Sequence, residues 1–391
     1  MRILLVTGKG GVGKTTTAAA TALSCAAAGY RTAVVSTDPA HSLADAFGIS
    51  LGVEPEMVAP GLSAHQIDTR TRLEESWGEI RDWLLEVLTW AGVDAVEAEE
   101  LSILPGLDEV VSLIEVERYA SAGDSDVLVV DCAPTAETVR LLSLPDVLGW
   151  YMQRLFPATR RLNRLAAPVL GRISDLPVAD DAVFGATRRF YDRLERVRDL
   201  LSDTSRTTVR LVVNPERMVI AEARRTATYL SLFGYRVDAV VANRLLPDAV
   251  RDPWFDRWRT VQAEHLTTIE EGFAPLPILR AELAPGELIG VVALAELGRT
   301  LYGDLDPAAV LHEGTPLRIV ADGADLQLQV DLPFADRGEL DLARRDDELL
   351  VRVGPYRRAV MLPDSLRHRT VVAARLADGM LEVTFAGSPP T

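Results

Sequence analysis

Residues 2–7, RILLVT, read as a buried strand. They run directly into GKGGVGKT at residues 8–15, which is followed by a run of small residues of helical character. The spacing of Gly8, Gly13, Lys14 and Thr15 satisfies the Walker A pattern, and a strand before and a helix after supply the context that the pattern needs. Its glycines let backbone amides turn inward around phosphate oxygens, while the helix N-terminus adds partial positive charge. The expected nucleotide-binding set is therefore Gly8, Lys9, Gly10, Gly11, Val12, Gly13, Lys14, Thr15 and Thr16. Lys14 is expected on the β- and γ-phosphates of ATP. Thr15 is expected on Mg²⁺, whose octahedral shell usually retains several waters.

The strand that precedes the loop begins a longer pattern. A helix from Lys14 through TTTAAATALSCAAA ends at Gly29, and further apolar runs lie at 32–36, 127–131, 209–213 and 237–242. Strands alternating with helices predict an α/β fold: a P-loop NTPase with a doubly wound, mostly parallel sheet. Helical insertions are expected at about 71–119, with Trp77, Trp83, Leu84, Val87, Leu88 and Trp90, and at about 139–201, with Leu148, Trp150, Tyr151, Leu155, Phe156 and Leu162. Two readings of these amphipathic stripes are open, packing onto the sheet and each other or lining an apolar groove for a client. The pattern changes after residue 305. We expect an ATPase domain at 1–305, a linker at 306–315, and a small antiparallel β-sandwich at 316–387, where alternating runs are broken by Gly, Pro and Asp.

Composition narrows the partners. A formal net charge of −16 over 391 residues disfavours nucleic acid and anionic membranes. No stretch approaches the apolar length of a membrane span, and the N-terminus does not read as a signal peptide, so a cytoplasmic protein without stable membrane insertion is expected. Cys25 and Cys132 are too few for a disulfide framework or a four-ligand zinc site within one chain, so no structural zinc is expected. Of the 41 basic residues only Lys9 and Lys14 are lysine. A random draw would select that pair roughly once in eight hundred trials, so an ammonium rather than a guanidinium is required at the loop.

The KGGVGKT form resembles the deviant Walker A ATPases, which include partitioning ATPases, nitrogenase iron protein and the arsenite/tail-anchored-protein targeting ATPases. The resemblance implies a homodimer in which Lys9 reaches the partner's nucleotide, comparable to an arginine finger. STDPAHSLAD at 36–45 is similar to switch I of the arsenite/tail-anchored-protein targeting family, covering Asp38, Pro39, Ala40, His41 and Ser42. Asp38 would polarise the attacking water; a helix N-cap is its other reading. VLVVD ends in Asp131, which stands at the Walker B position and would hold Mg²⁺ through water or Thr15. Switch II would comprise Asp131, Pro134 and Thr135. Ala136 and Glu137 replace the usual Gly-His that follows, which separates the chain from the family's standard coupling of switch II to client. PGLDEV at 105–110 is similar to a coupling segment. VVNPERM (212–218) and VVANRLLP (240–247) resemble the adenine surroundings, with Asn243 ahead of Asn214 as the base reader and a loop cap as the alternative for each.

The tail resembles a small heat-shock, or α-crystallin, domain through LQVDLPF (328–334), ELLVRV (348–353), RRAVMLPDSL (357–366) and ARLADGMLEVTF (374–385). The CxxC pair of zinc-clamped members and the arsenite-binding cysteines are absent. The combination implies an ATP-hydrolysing chaperone or targeting factor for hydrophobic, helical, membrane-protein segments. The alternatives are a partitioning or site-selection switch, and an ATPase handling a small molecule or metal.

Overall fold

The computed structural model describes residues 1–37, 42–52, 54–67, 78, 80–83, 85–89, 93–94, 107–132 and 181–387, and at 107–110, 181 and 182 the backbone alone. The chain divides into two compact units. One comprises Met1–Gln66, Gly123–Val139 and Leu201–Thr391, the other Ile67–Ala122 and Arg140–Leu200.

The first unit is organised by an eight-stranded sheet. Its strands are β1 (Arg2–Gly8), β2 (Thr32–Ser36), β3 (Glu56–Ala59), β4 (Leu62–Gln66), β5 (Val127–Asp131), β6 (Thr207–Val213), β7 (Val237–Leu245) and β8 (Ile278–Glu282), in the order β3-β4-β2-β5-β1-β6-β7-β8. All neighbours are parallel except β3, which pairs antiparallel to β4 at one edge. Every residue of β2, β5 and β6 is buried, so both faces of the sheet are covered. The order reverses at β1: the chain moves first toward β2 and later toward β6, and the crevice beyond the C-terminal end of β1 is where such sheets bind ligands.

Helix α1 (Lys14–Ala27) explains its own composition. Ala18, Ala19, Ala20 and Ala22 are fully buried. On its other side runs α7 (Val291–Tyr302), at whose Gly298 an added Cβ would meet Ser24 Oγ at 2.2 Å and Ala20 O at 2.7 Å. Small residues let α1 lie close to sheet and helix at once. Three more helices of this unit are α2 (Ser42–Phe47), α5 (Arg217–Leu232) and α6 (Asp256–Phe273).

The C-terminal residues form two antiparallel sheets. One has the order β14-β15-β10-β9, from β9 (Leu317–Asp322), β10 (Asp325–Asp331), β14 (Val371–Ala377) and β15 (Met380–Phe385). The other has the order β11-β12-β13, from β11 (Leu340–Arg345), β12 (Glu348–Val353) and β13 (Tyr356–Met361). Alternate residues of β12 and β15 are buried, with Val351, Leu381, Val383 and Phe385 at 0% exposure, the period expected of strands with one face in a core. Arg344 of β11 lies over the Phe385 ring of β15, 5.8 Å from its centroid, so the sheets meet there. A four-residue helix, α8 (Asp364–Arg367), interrupts the strands.

The β-domain grips α5. Thr228 Oγ1 donates to Pro333 O, Arg358 Nη1 donates to Leu232 O at 2.5 Å, the Tyr229 and Tyr356 rings meet at a tilt of 48° with centroids 4.3 Å apart, and Arg224 lies 5.3 Å from the Phe334 centroid. Phe273 of α6 meets Phe334 edge-on at 5.1 Å. Burial raises the Asp331 carboxyl above its ordinary range, with Ser231 Oγ at 3.5 Å opposing the shift.

Residues 306–315, expected as a linker, are strapped to the sheet end opposite the phosphate loop. Arg2 Nε donates to Ala308 O at 3.0 Å, Arg210 Nη2 to Ala309 O at 3.2 Å and Arg236 Nε to Gly314 O at 2.7 Å. Beneath the strap Asp238 is fully buried. Its Oδ2 accepts from Thr208 Oγ1 at 2.8 Å, Arg2 at 3.3 Å and Leu311 N at 3.3 Å, and its Oδ1 lies 3.6 Å from Nε of the equally buried Arg210. Burial lowers the Arg2 guanidinium to about 10, against the pull of Asp238 that holds it up.

In the second unit, α3 (Leu107–Ala122) and α4 (Asp181–Ser202) are joined by an Arg196 to Glu117 ion pair at 3.4 Å. Val111, Leu113, Ile114 and Val116 of α3 and Phe190, Leu194 and Val197 of α4 are buried. Trp77, Leu84, Trp90, Leu148, Trp150, Tyr151, Leu155, Phe156 and Leu162, whose stripes read either as packing or as a client groove, lie outside the described residues.

Replacing Asp238 by Ala leaves the buried Arg210 and the partly buried Arg2 without their carboxylate, and the expected destabilisation is about 3–5 kcal/mol. Asp238→Asn, which keeps the hydrogen-bond acceptor, should lose less. Urea unfolding of the full chain measures both, and equal stability of Asp238→Ala and the parent would contradict this account of the strap.

Candidate functional site

The site lies at the C-terminal end of β1, where the strand becomes the phosphate loop. Gly8 passes so close to β6 that a Cβ there would fall 2.4 Å from Val212 O. Gly13 caps α1 with φ 96°, a left-handed conformation that favours glycine, and its Cβ would fall 2.4 Å from Asn243 Nδ2. Gly10 and Gly11 are exposed and Val12 is buried. Thr17 clamps the first turn through Oγ1 to Gly13 O at 2.9 Å.

The two lysines point differently. Lys14 is buried at 7% exposure, and its Nζ folds back to donate to Lys9 O at 3.4 Å. Lys9 turns to the surface with 35% of its side chain exposed, and its Nζ lies 3.3 Å from Glu222 Oε2 on α5.

Beside the loop a set of oxygens converges. Ladder register places Val6, Asp131 and Ser36 side by side at the ends of β1, β5 and β2. Asp131 is fully buried, and its Oδ2 accepts from Thr15 Oγ1 at 2.7 Å and from Ser36 Oγ at 3.1 Å. Thr15 Oγ1 lies 3.1 Å from Ser42 Oγ at the start of α2. One carboxylate and three hydroxyls is a hard, oxygen-only donor set. It suits a small divalent cation that keeps part of its water shell, so the residues fit Mg²⁺.

Asn243, at the end of β7, has both ends of its amide engaged. Nδ2 donates to Val12 O at 2.7 Å and Oδ1 accepts from Arg244 N at 2.9 Å, with Arg244 held at φ 58°. This asparagine therefore braces the phosphate loop. Asn214, just beyond β6, is 5% exposed, and its Oδ1 has no hydrogen-bond partner among the described residues. Asp38, Pro39, Ala40, His41, Pro134, Thr135, Ala136 and Glu137 lie outside the described residues. Two site residues escaped the sequence reading. Ser36 ends a strand beside the strand ending in Asp131, a signal that only the ladder order converts into contact. Glu222 sits mid-helix with no local mark.

Comparison with known proteins shows the family. Residues 1–303 match the family model for the anion-transporting ATPase ArsA, and residues 323–385 match the HSP20-like domain found in ArsA. This chain belongs to the ArsA ATPase family. It is 40% identical over 390 residues to a Chlorobaculum tepidum protein named provisionally as an arsenical pump-driving ATPase, covering 98% of this chain and 96% of that one. An uncharacterized protein of Streptomyces coelicolor is 37% identical over 401 residues, 100% of this chain and 98% of the relative. The Aspergillus niger ATPase get3 is 28% identical over 313 residues, 78% of this chain and 92% of that protein. The ArsA-family chain is thus an ATPase with an α/β nucleotide domain and an HSP20-like tail.

Cys132, next to Asp131, and Cys25 in α1 are both buried. Burial is the main cause that pushes each thiol up to about 12, with Asp131 adding to the shift at Cys132 and Arg210 opposing it at Cys25. At pH 8 both therefore stay in the thiol form, which is the poor nucleophile. Iodoacetamide should therefore leave both unmodified in the native protein and modify both in guanidinium. Rapid native alkylation of Cys132, read by mass spectrometry, would contradict the closed arrangement around Asp131.

Proposed function

We propose that this ArsA-family ATPase is a homodimeric chaperone or targeting factor, which binds hydrophobic, helical protein segments under the control of ATP in the cytoplasm. The observation that carries the reading is the divergence of the two lysines. Lys14 is enclosed by its own loop, whereas Lys9 stands on the surface, where it is available to a second chain.

In this reading Lys14 and the amides of residues 8–13 hold the β- and γ-phosphates, with Thr16 completing the loop. Thr15, Ser42 and Asp131 would hold Mg²⁺, and Ser36 fixes the Asp131 carboxylate. The metal's chemistry is to neutralise charge that builds on the β- and γ-oxygens. Asp38 orients and polarises the attacking water, and Lys9 of the second chain meets the charge of the transition state. Asn243 keeps its brace on Val12 and offers the second lone pair of Oδ1 to the base edge, with Asn214 beside it as the other candidate.

The client half of the proposal rests on the HSP20-like tail, joined through the strap to an ATPase related to get3. The alternative suggested by relatives named for arsenical pumps finds little material in this chain. A thiolate site needs thiolates, and the two cysteines present are buried and neutral.

Lys9→Arg should lower kcat by roughly 10²-fold or more, while ATP affinity stays within about threefold of the parent. Equal loss of binding and turnover would return Lys9 to its own subunit's nucleotide. For the client, a fluorescent hydrophobic helical peptide should be captured with ATP, released by the parent after hydrolysis and held by Asp38→Asn. Capture that ignores both nucleotide and Asp38 would remove the targeting reading.

A further inference from the structure

One helix joins the surface lysine of the phosphate loop to the β-domain. Glu222, in the second turn of α5, holds Lys9 Nζ at 3.3 Å, and the two side chains are 30% and 35% exposed. The same helix carries Arg224, Thr228, Tyr229 and Leu232, which meet Phe334, Pro333, Tyr356 and Arg358 of the β-domain. From Glu222 to Tyr229 is roughly 10 Å along the axis at 1.5 Å per residue, so the ion pair and the β-domain contacts share one rigid helix. The lysine concerned is one of two in the whole chain.

We propose that Glu222 is a positioning residue for Lys9. In the single chain it holds the ammonium against its own subunit, and the β-domain, by gripping the same helix, sets how firmly it does so. The inference rests on the reading that Lys9 acts on the partner's nucleotide. A half-exposed ion pair is weak and screened by salt, so the several charges of a partner's triphosphate outcompete one carboxylate. Glu222 therefore keeps Lys9 at home until a loaded second chain arrives, and it also discourages the ammonium from folding onto its own subunit's phosphates. On this account the HSP20-like tail is a mechanical input to turnover as well as a surface for clients.

The test measures ATPase activity of the full chain against protein concentration. Freeing Lys9 by Glu222→Gln should lower the concentration for half-maximal activity about threefold or more, with KM for ATP unchanged. Glu222→Asp should restore the parent curve. Tyr356→Ala, which loosens the grip on α5, should shift the curve the same way and add nothing in the Glu222→Gln background. Two results overturn the proposal in folded, ATP-binding variants: an unshifted curve for Glu222→Gln, or a fall in kcat at every concentration. Additive shifts of Glu222→Gln and Tyr356→Ala overturn the role of the β-domain alone. Full turnover by Lys9→Arg is a separate failure, that of the trans reading beneath the proposal.

Discussion

The buried carboxylate of Asp131 fixes three elements at once. Through one oxygen it takes the Thr15 hydroxyl at the start of α1 and the Ser36 hydroxyl at the end of β2, and its backbone oxygen accepts from Thr37 N at 2.9 Å. A carboxylate removed from water demands donors, and these donors lie at the sites from which the phosphate loop and switch I depart. The register that brings β1, β5 and β2 to a common end is therefore more than packing. A slip of one residue in β5 would turn Asp131 to the opposite face and leave both hydroxyls unmet.

The other end of the sheet is fixed by a different buried charge set. Asp238, Arg2 and Arg210 draw residues 306–315 along the strand starts, and Tyr302 joins them through Arg210 at 2.9 Å and Thr21 at 2.7 Å. Such a network contributes little net stability, but it is intolerant of losing one member. Its consequence is positional, because the strap ends where β9 begins and α5 accepts the β-domain at its C-terminal turns. Nucleotide loop, helix and tail form one mechanical series through side chains that are each modest in energy.

Much of this was legible in the sequence because short-range rules govern it. Buried strands ending at Gly8 and Asp131, the small residues of α1 and the alternation in β12 and β15 each carry their own period or composition. The family motifs at 8–15 and 212–247 added the site. What stayed hidden depends on contacts distant along the chain. Ser36 became a site residue only through the placement of β5 beside β2, and Glu222 only because α5 passes the loop. The 306–315 stretch reads as a connector because its partners are arginines 78 to 306 residues away. Asn243 reads as a base contact or a loop cap, and its amide engages Val12 O and Arg244 N, contacts that the motif alone does not reveal.

The central claim is that two chains complete each other's sites, Lys14 serving its own nucleotide and Lys9 the partner's. It is tested most directly by mixing two inactive variants, Lys9→Ala and Lys14→Ala, and measuring ATP hydrolysis. In a mixed dimer the Lys9→Ala chain keeps its own Lys14 and receives Lys9 from its partner, so one site is whole. The account predicts recovery to about a quarter of parental activity under random assortment of equal amounts. No recovery, with mixed dimers shown to form, would contradict it.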